Sequence, residues 1–107
     1  MIKDIKEYFI GRYWQGIALG LWKQEEDYKK KHGVYLYGDC SNRTTFLIDK
    51  MTRAGLKPGD FVAVRGEVNG ISHVCLQLFG KYRVDAAAPY EVMKNASIGA
   101  TFVGEYK

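Results

Sequence analysis

The chain has 107 residues, the length of one compact domain, and its 47% hydrophobic and 14% aromatic content is sufficient for one core. We therefore predict a single domain over residues 1–107. Sixteen Lys and Arg against twelve Asp and Glu give a formal net charge of +4, which is only mildly basic. The positive run Lys29–Lys31 is typical of a solvated connector, and no nucleic-acid reader motif accompanies it. We therefore expect no nucleic-acid partner.

The hydropathy pattern of the sequence predicts neither a membrane-spanning segment nor a secretory signal. The apolar stretch Ile17–Trp22 is interrupted by Gly20, and a bilayer span needs about 20 apolar residues. The charged N-terminal residues are not followed by the apolar core of a signal peptide. We therefore expect no membrane association and a cytoplasmic location, with phage origin and release at lysis as the alternative. Two cysteines, Cys40 and Cys75, are too few for a disulfide framework.

The first 28 residues carry apolar side chains mostly three or four positions apart, which is helical spacing. This pattern predicts one or two amphipathic helices. Interior glycines each lower helix stability by about 1 kcal/mol relative to alanine, so a break in this segment is one of the two expected outcomes. The apolar positions are Ile2, Ile5, Phe9, Tyr13, Ile17, Leu21 and Tyr28.

A second helix is bounded by clear capping residues. Asp39 is a favoured N-cap residue, and Gly55 is a favoured residue just beyond a helix C-terminus. A helix between them would have about four turns, with Cys40 in its first turn. Its predicted buried face consists of Thr44, Leu47, Ile48, Met51 and Ala54.

The remainder of the chain has the character of short strands separated by turns. The pair Gly80-Lys81 predicts a hairpin connection, and Asn69-Gly70 predicts a further turn. The predicted strands cover residues 61–65, 74–79, 82–84 and about 101–106, with an irregular or helical link over 86–97.

Three residues form a candidate catalytic triad. The unpaired amides and the dipole of a helix N-terminus favour a thiolate, so Cys40 is the predicted nucleophile. The same amides could stabilise an oxyanion. His73, at the head of a strand, is the predicted base, and Asp85, at the end of the hairpin partner strand, is the predicted orienting acid. This chemistry needs no metal and no organic cofactor.

Two alternative roles for these residues stay open. The first is purely structural, because a lone buried cysteine is usually a small apolar side chain, and a lone histidine or aspartate is usually a capping or surface residue. The second is a zinc site built from Cys40, His73, Cys75 and Asp85, although the sequence lacks a Cys-x-x-Cys pair.

Residues 37–88 resemble the transglutaminase-like cysteine peptidases in the order and spacing of their motifs. The resemblance implies a papain-like α+β fold, with the nucleophile helix packed on a small antiparallel sheet and a Cys, His, Asp triad. It departs from the family pattern at Cys75, where an aromatic residue is common, and at Tyr82, where Trp is usual. The matching segments are 38–40, 53–58, 73–78 and 80–86.

The sequence also resembles the NlpC-type cell-wall peptidases, at Asp39-Cys40-Ser41, Pro58-Gly59-Asp60 and Ile71-Ser72-His73-Val74. Both resemblances imply hydrolysis of a peptide or isopeptide bond through a thioester, and cell-wall peptides are candidate substrates. Acyl transfer to an amine, as in transglutaminases, and a non-catalytic binding module with the same fold are the functional alternatives.

Overall fold

The computed structural model describes residues 2–68, 71–87 and 101–106, and these contain two helices and an antiparallel sheet. The chain is thus of the α+β class, as predicted. The predicted Asn69-Gly70 turn and most of the predicted link lie outside the described residues. The elements are α1 (Ile2–His32), α2 (Cys40–Arg53), β1 (Phe61–Val68), β2 (Ile71–Leu78), β3 (Tyr82–Val84) and β4 (Thr101–Tyr106).

The four strands are arranged in the order β3-β2-β1-β4, and every neighbouring pair is antiparallel. The two longest strands, β1 and β2, pair along their full length, from Phe61 opposite Leu78 to Val68 opposite Ile71. The connection between β2 and β3 is centred on Phe79 and Gly80, which both have positive φ. The hairpin predicted from the sequence is therefore confirmed, and its short third strand forms one edge of the sheet.

Helix α1 is continuous over 31 residues, so the predicted segment forms one helix and not two. Gly11 has a packing role, because a Cβ atom added there would lie 2.6 Å from Cγ of Tyr82. The missing side chain lets the helix approach β3 closely. Gly16 and Gly20 have no side-chain neighbour within 4 Å of such an added atom. The packing around the helix compensates for their low propensity.

The buried face of α1 differs from the one that the apolar spacing suggested. Four of the large side chains on the predicted apolar positions are exposed: Ile2, Ile5, Phe9 and Tyr13. Leu21, which was predicted, is buried, and the helix buries it together with a neighbouring stripe of small residues, a tryptophan and one acid: Gly11, Trp14, Ala18 and Glu25. Small residues allow close approach to β3, which explains why this stripe faces the sheet.

Helix α2 begins and ends where its capping residues predict. The Asp39 side chain accepts a hydrogen bond from the Asn42 amide at 3.1 Å. At the other end Gly55 has φ +101, and the Leu56 amide donates to the Met51 carbonyl at 3.0 Å. Helix α2 buries Leu47 and Met51 in the core, whereas Ala54, predicted to be buried, is exposed because it already lies in the cap.

The hydrophobic core lies between the helices and the sheet. Its members come from both helices, β1, β2 and β3, and from the residue pair that follows β3: Trp14, Ala18, Leu21, Leu47, Met51, Ala63, Leu76, Leu78, Val84 and Ala86. Because the core extends to Ala86, the backbone next to Asp85 is anchored by packing.

Candidate functional site

Cys40 is the first residue of α2 and is partly exposed. The Asp39 carboxylate accepts a hydrogen bond from the amide of Asn42, and the Asp39 carbonyl accepts one from the amide of Arg43 at 3.0 Å. The amides of Cys40 and Ser41 are therefore the ones in this turn that could bind an oxyanion. Partial exposure at a helix N-terminus is the environment in which reactive cysteines are found.

His73 and Asp85 are in direct contact, through Nε2 of the ring and Oδ2 of the carboxylate. The side chains are 13% and 2% exposed, so the pair is largely shielded from water. The second carboxylate oxygen, Oδ1, accepts the Ala87 amide at 2.8 Å. Asp85 is thus held from both sides. With Asp85 ionised, Nε2 carries the proton that it donates, and Nδ1 is the ring atom left to act as a base.

The contact between His73 and Asp85 is diagonal across the hairpin. Within the hairpin, Leu76 lies opposite Val84 and Leu78 lies opposite Tyr82. Extending this register by one residue places Asp85 opposite position 75, two residues from His73. Residues two positions apart on a strand share a face of the sheet, so the His73 ring can reach the Asp85 carboxylate diagonally. The predicted contact between these two residues therefore forms.

Cys75 completes a cluster with His73 and Asp85, in which the ligand-type atoms lie within 4.8 Å of one another. Its side chain is fully buried. Burial raises the pKa of the Cys75 thiol to about 12, and the nearby Asp85 carboxylate and Cys40 add to this increase. Cys75 is therefore an inert thiol at neutral pH, in contrast to the partly exposed Cys40.

Three of the four predicted zinc ligands, His73, Cys75 and Asp85, lie in this cluster. The fourth, Cys40, is not part of it among the residues that the structure describes. Both oxygens of Asp85 already have hydrogen-bond partners, in His73 and Ala87. A metal ion bound between Nε2 of His73 and Oδ2 of Asp85 would displace the hydrogen bond that joins these two atoms.

Two side chains of α2 connect the start of this helix to the backbone beside His73 on β2 and beside Asp85, which follows β3. Thr44 Oγ1 donates to the carbonyl of Val74, at 3.4 Å, and Arg43 Nη1 donates to the carbonyl of Ala86, at 2.9 Å. These carbonyls belong to the residues that immediately follow His73 and Asp85. The helix start is thereby tied to both members of the pair.

No protein-family model, curated protein or solved structure matches this chain.

The buried ion pair beside the site was not predicted from the sequence. Arg43 is 3% exposed and Glu25 is fully buried, with Nε of Arg43 3.4 Å from Oε2 of Glu25. A signal existed: Glu25 continues the buried stripe of α1 four residues after Leu21, and Arg43 precedes Leu47 by four residues on α2. Opposite charges on two apolar helix faces indicate a buried pair.

Within the parts of the chain that the structure describes, no helix has both the length and the apolar character needed to cross a membrane.

Proposed function

We propose that this chain is a cysteine hydrolase of papain-like, transglutaminase-like fold that cleaves a peptide or isopeptide bond through Cys40, His73 and Asp85. The observation that carries the proposal is the direct His73–Asp85 contact, tied to a helix start that opens with a partly exposed cysteine. The hydrogen bonds from α2 to Val74 and Ala86 support it further.

The reaction would proceed by acyl transfer to water. Nδ1 of His73 takes the thiol proton of Cys40, and the sulfur attacks the amide carbonyl to form a tetrahedral oxyanion. The amides at the start of α2 stabilise that negative charge. Collapse breaks the C–N bond, and His73 gives its proton to the departing amine. A thioester on Cys40 remains.

Water completes the cycle. His73 removes a proton from water, the resulting hydroxide attacks the thioester, and the acid product leaves as the thiol is restored. Asp85 keeps the imidazole in the tautomer that exposes Nδ1, and it stabilises the imidazolium that forms in each step. An amine in place of water would give transamidation through the same thioester.

The first test is the pH dependence of iodoacetamide alkylation, with each cysteine followed by mass spectrometry. We expect Cys40 to react at about pH 6 at least about tenfold faster than a free cysteine, and His73→Ala to remove most of this advantage. Asp85→Asn should reduce it partly. Buried Cys75 is the internal control, and should remain unmodified while the fold is intact.

Alkylation of Cys40 that follows the pH profile of a free cysteine in the wild-type chain would overturn the triad, and would favour a binding module instead. If the thiol is activated, peptide and isopeptide substrates, including cell-wall peptides, can be compared with and without an added primary amine. Product carrying that amine would establish transamidation, and free acid would establish hydrolysis.

A further inference from the structure

Arg43 lies one helical turn after Cys40, yet its guanidinium points into the protein and not to solvent, with 3% exposure. Its partner Glu25 is fully buried on α1. Desolvating two charges costs several kcal/mol per ion unless they are paired and hydrogen-bonded. Hydrogen bonds from both side chains to the backbone therefore help to offset the cost of burying this pair.

The Glu25 carboxylate binds the segment that leads into α2. It accepts hydrogen bonds from the amides of three consecutive residues at 3.2 to 3.3 Å, namely Leu36, Tyr37 and Gly38. This segment ends two residues before Cys40. The carboxylate thus fixes the path by which the chain arrives at the nucleophile.

The guanidinium of Arg43 binds two carbonyls on opposite sides of the site. Its Nε donates to Gly38 at 3.0 Å, and its Nη1 donates to Ala86 at 2.9 Å. One rigid planar group therefore joins the backbone two residues before Cys40 to the backbone one residue after Asp85. The fork geometry of arginine allows this double contact, whereas a lysine ammonium is a single point donor.

We propose that Arg43, oriented by Glu25, is a positioning residue that sets the placement of Cys40 relative to the His73–Asp85 pair. This inference rests on the proposed function for its catalytic consequence. The buried pair acts through two backbone segments and touches no reacting atom. Its role is to hold the nucleophile and the orienting acid in one rigid unit.

The test compares Arg43→Lys with Met51→Ala. The lysine keeps the charge opposite Glu25 and loses the double contact. Met51 is a fully buried core residue near the other end of α2, so its truncation lowers the stability of the fold away from the site. Unfolding free energy by urea and the pH profile of Cys40 alkylation are measured for both variants.

We expect Arg43→Lys to lower the rate of Cys40 alkylation at about pH 6 by about tenfold and to move the profile to higher pH. Met51→Ala should reduce stability while keeping the alkylation rate within about twofold of wild type. Where Cys40 of the wild-type chain is activated, a lysine variant that loses stability but keeps the wild-type profile would overturn the positioning role.

A second readout separates this proposal from the triad itself. The proton on Nε2 of His73 and the exchange protection of the Ala87 amide report the Asp85 geometry by NMR, independently of Cys40. Both signals should change in Arg43→Lys and persist in Met51→Ala. Such a change with an unactivated Cys40 would refute the hydrolase and retain the positioning role, whereas unchanged signals in Arg43→Lys would refute the positioning role.

Discussion

Removing the Glu25 carboxylate should be the most destabilising single truncation at the helix–helix contact. Glu25→Ala leaves the Arg43 guanidinium buried without its counter-charge, which costs about 3 to 5 kcal/mol. It also strips an acceptor from three part-buried backbone amides, whose hydrogen bonds contribute about 0.5 to 1.5 kcal/mol each. The whole domain, at 107 residues, has an expected stability of about 5 to 15 kcal/mol. We therefore expect Glu25→Ala to remove a large part of the stability of the fold.

Urea denaturation followed by tryptophan fluorescence measures this loss. Glu25→Gln keeps one acceptor oxygen and should retain a folded population, with a loss of about 2 to 4 kcal/mol. Asp49→Ala is the control, because its ion pair with Arg53 is exposed on both sides and should contribute less than about 0.5 kcal/mol. A Glu25→Ala variant that loses less than about 1 kcal/mol would show that the carboxylate does not hold this region together.

The remaining predictions concern a helix contact, a buried thiol and a cap. Gly11→Ala should cost about 1 to 3 kcal/mol of stability, because the added methyl group meets the Tyr82 ring. Gly20→Ala, where the added methyl group meets open space, should gain up to about 1 kcal/mol. Equal effects of the two substitutions in thermal melts would contradict the packing argument. Because the folded Cys75 thiol has a pKa of about 12 against 9.0 for the ordinary value, the folded state retains this proton longer, so stability should fall by about 1.4 kcal/mol per pH unit between those values. A Cys75→Ala variant should lack that component in alkaline urea titrations, and identical slopes would refute it. Asp39→Asn keeps the helix cap but removes a negative charge beside the Cys40 thiol. Alkylation of Cys40 at about pH 6 should therefore accelerate about two- to threefold, with unchanged stability of the fold. A slower reaction would contradict the electrostatic reasoning.

The sequence was most informative where structure is set by neighbouring residues. The cap at Asp39 and the stop at Gly55 define α2 because each acts on amides or dihedral angles within a few positions. The β2–β3 hairpin was predictable for the same reason. Since the hairpin is short, it was also sufficient to bring His73 and Asp85 together.

Long-range packing was beyond the reach of periodicity. The spacing of large apolar residues suggested a buried face on α1 that includes Phe9, but the helix presents Gly11 to the sheet because only a residue without a side chain allows contact with Tyr82. The Glu25–Arg43 pair depends on two helices meeting. A charged residue considered alone is usually solvated, so neither Glu25 nor Arg43 was assigned a role until the two helix faces were compared.

The partner of the first half of α1 lies near the end of the hairpin, which has a consequence for folding during synthesis. Gly11 packs on Tyr82, and Gln15 Nε2 donates to the carbonyl of Arg83 at 3.0 Å. A ribosome adding about 5 to 20 residues per second needs about 3 to 10 seconds to travel from the end of α1 to β3. During that interval Trp14, which is 5% exposed in the folded chain, has no strand to cover it. Until β3 has been synthesised, the nascent helix therefore exposes an apolar side chain that a chaperone could bind.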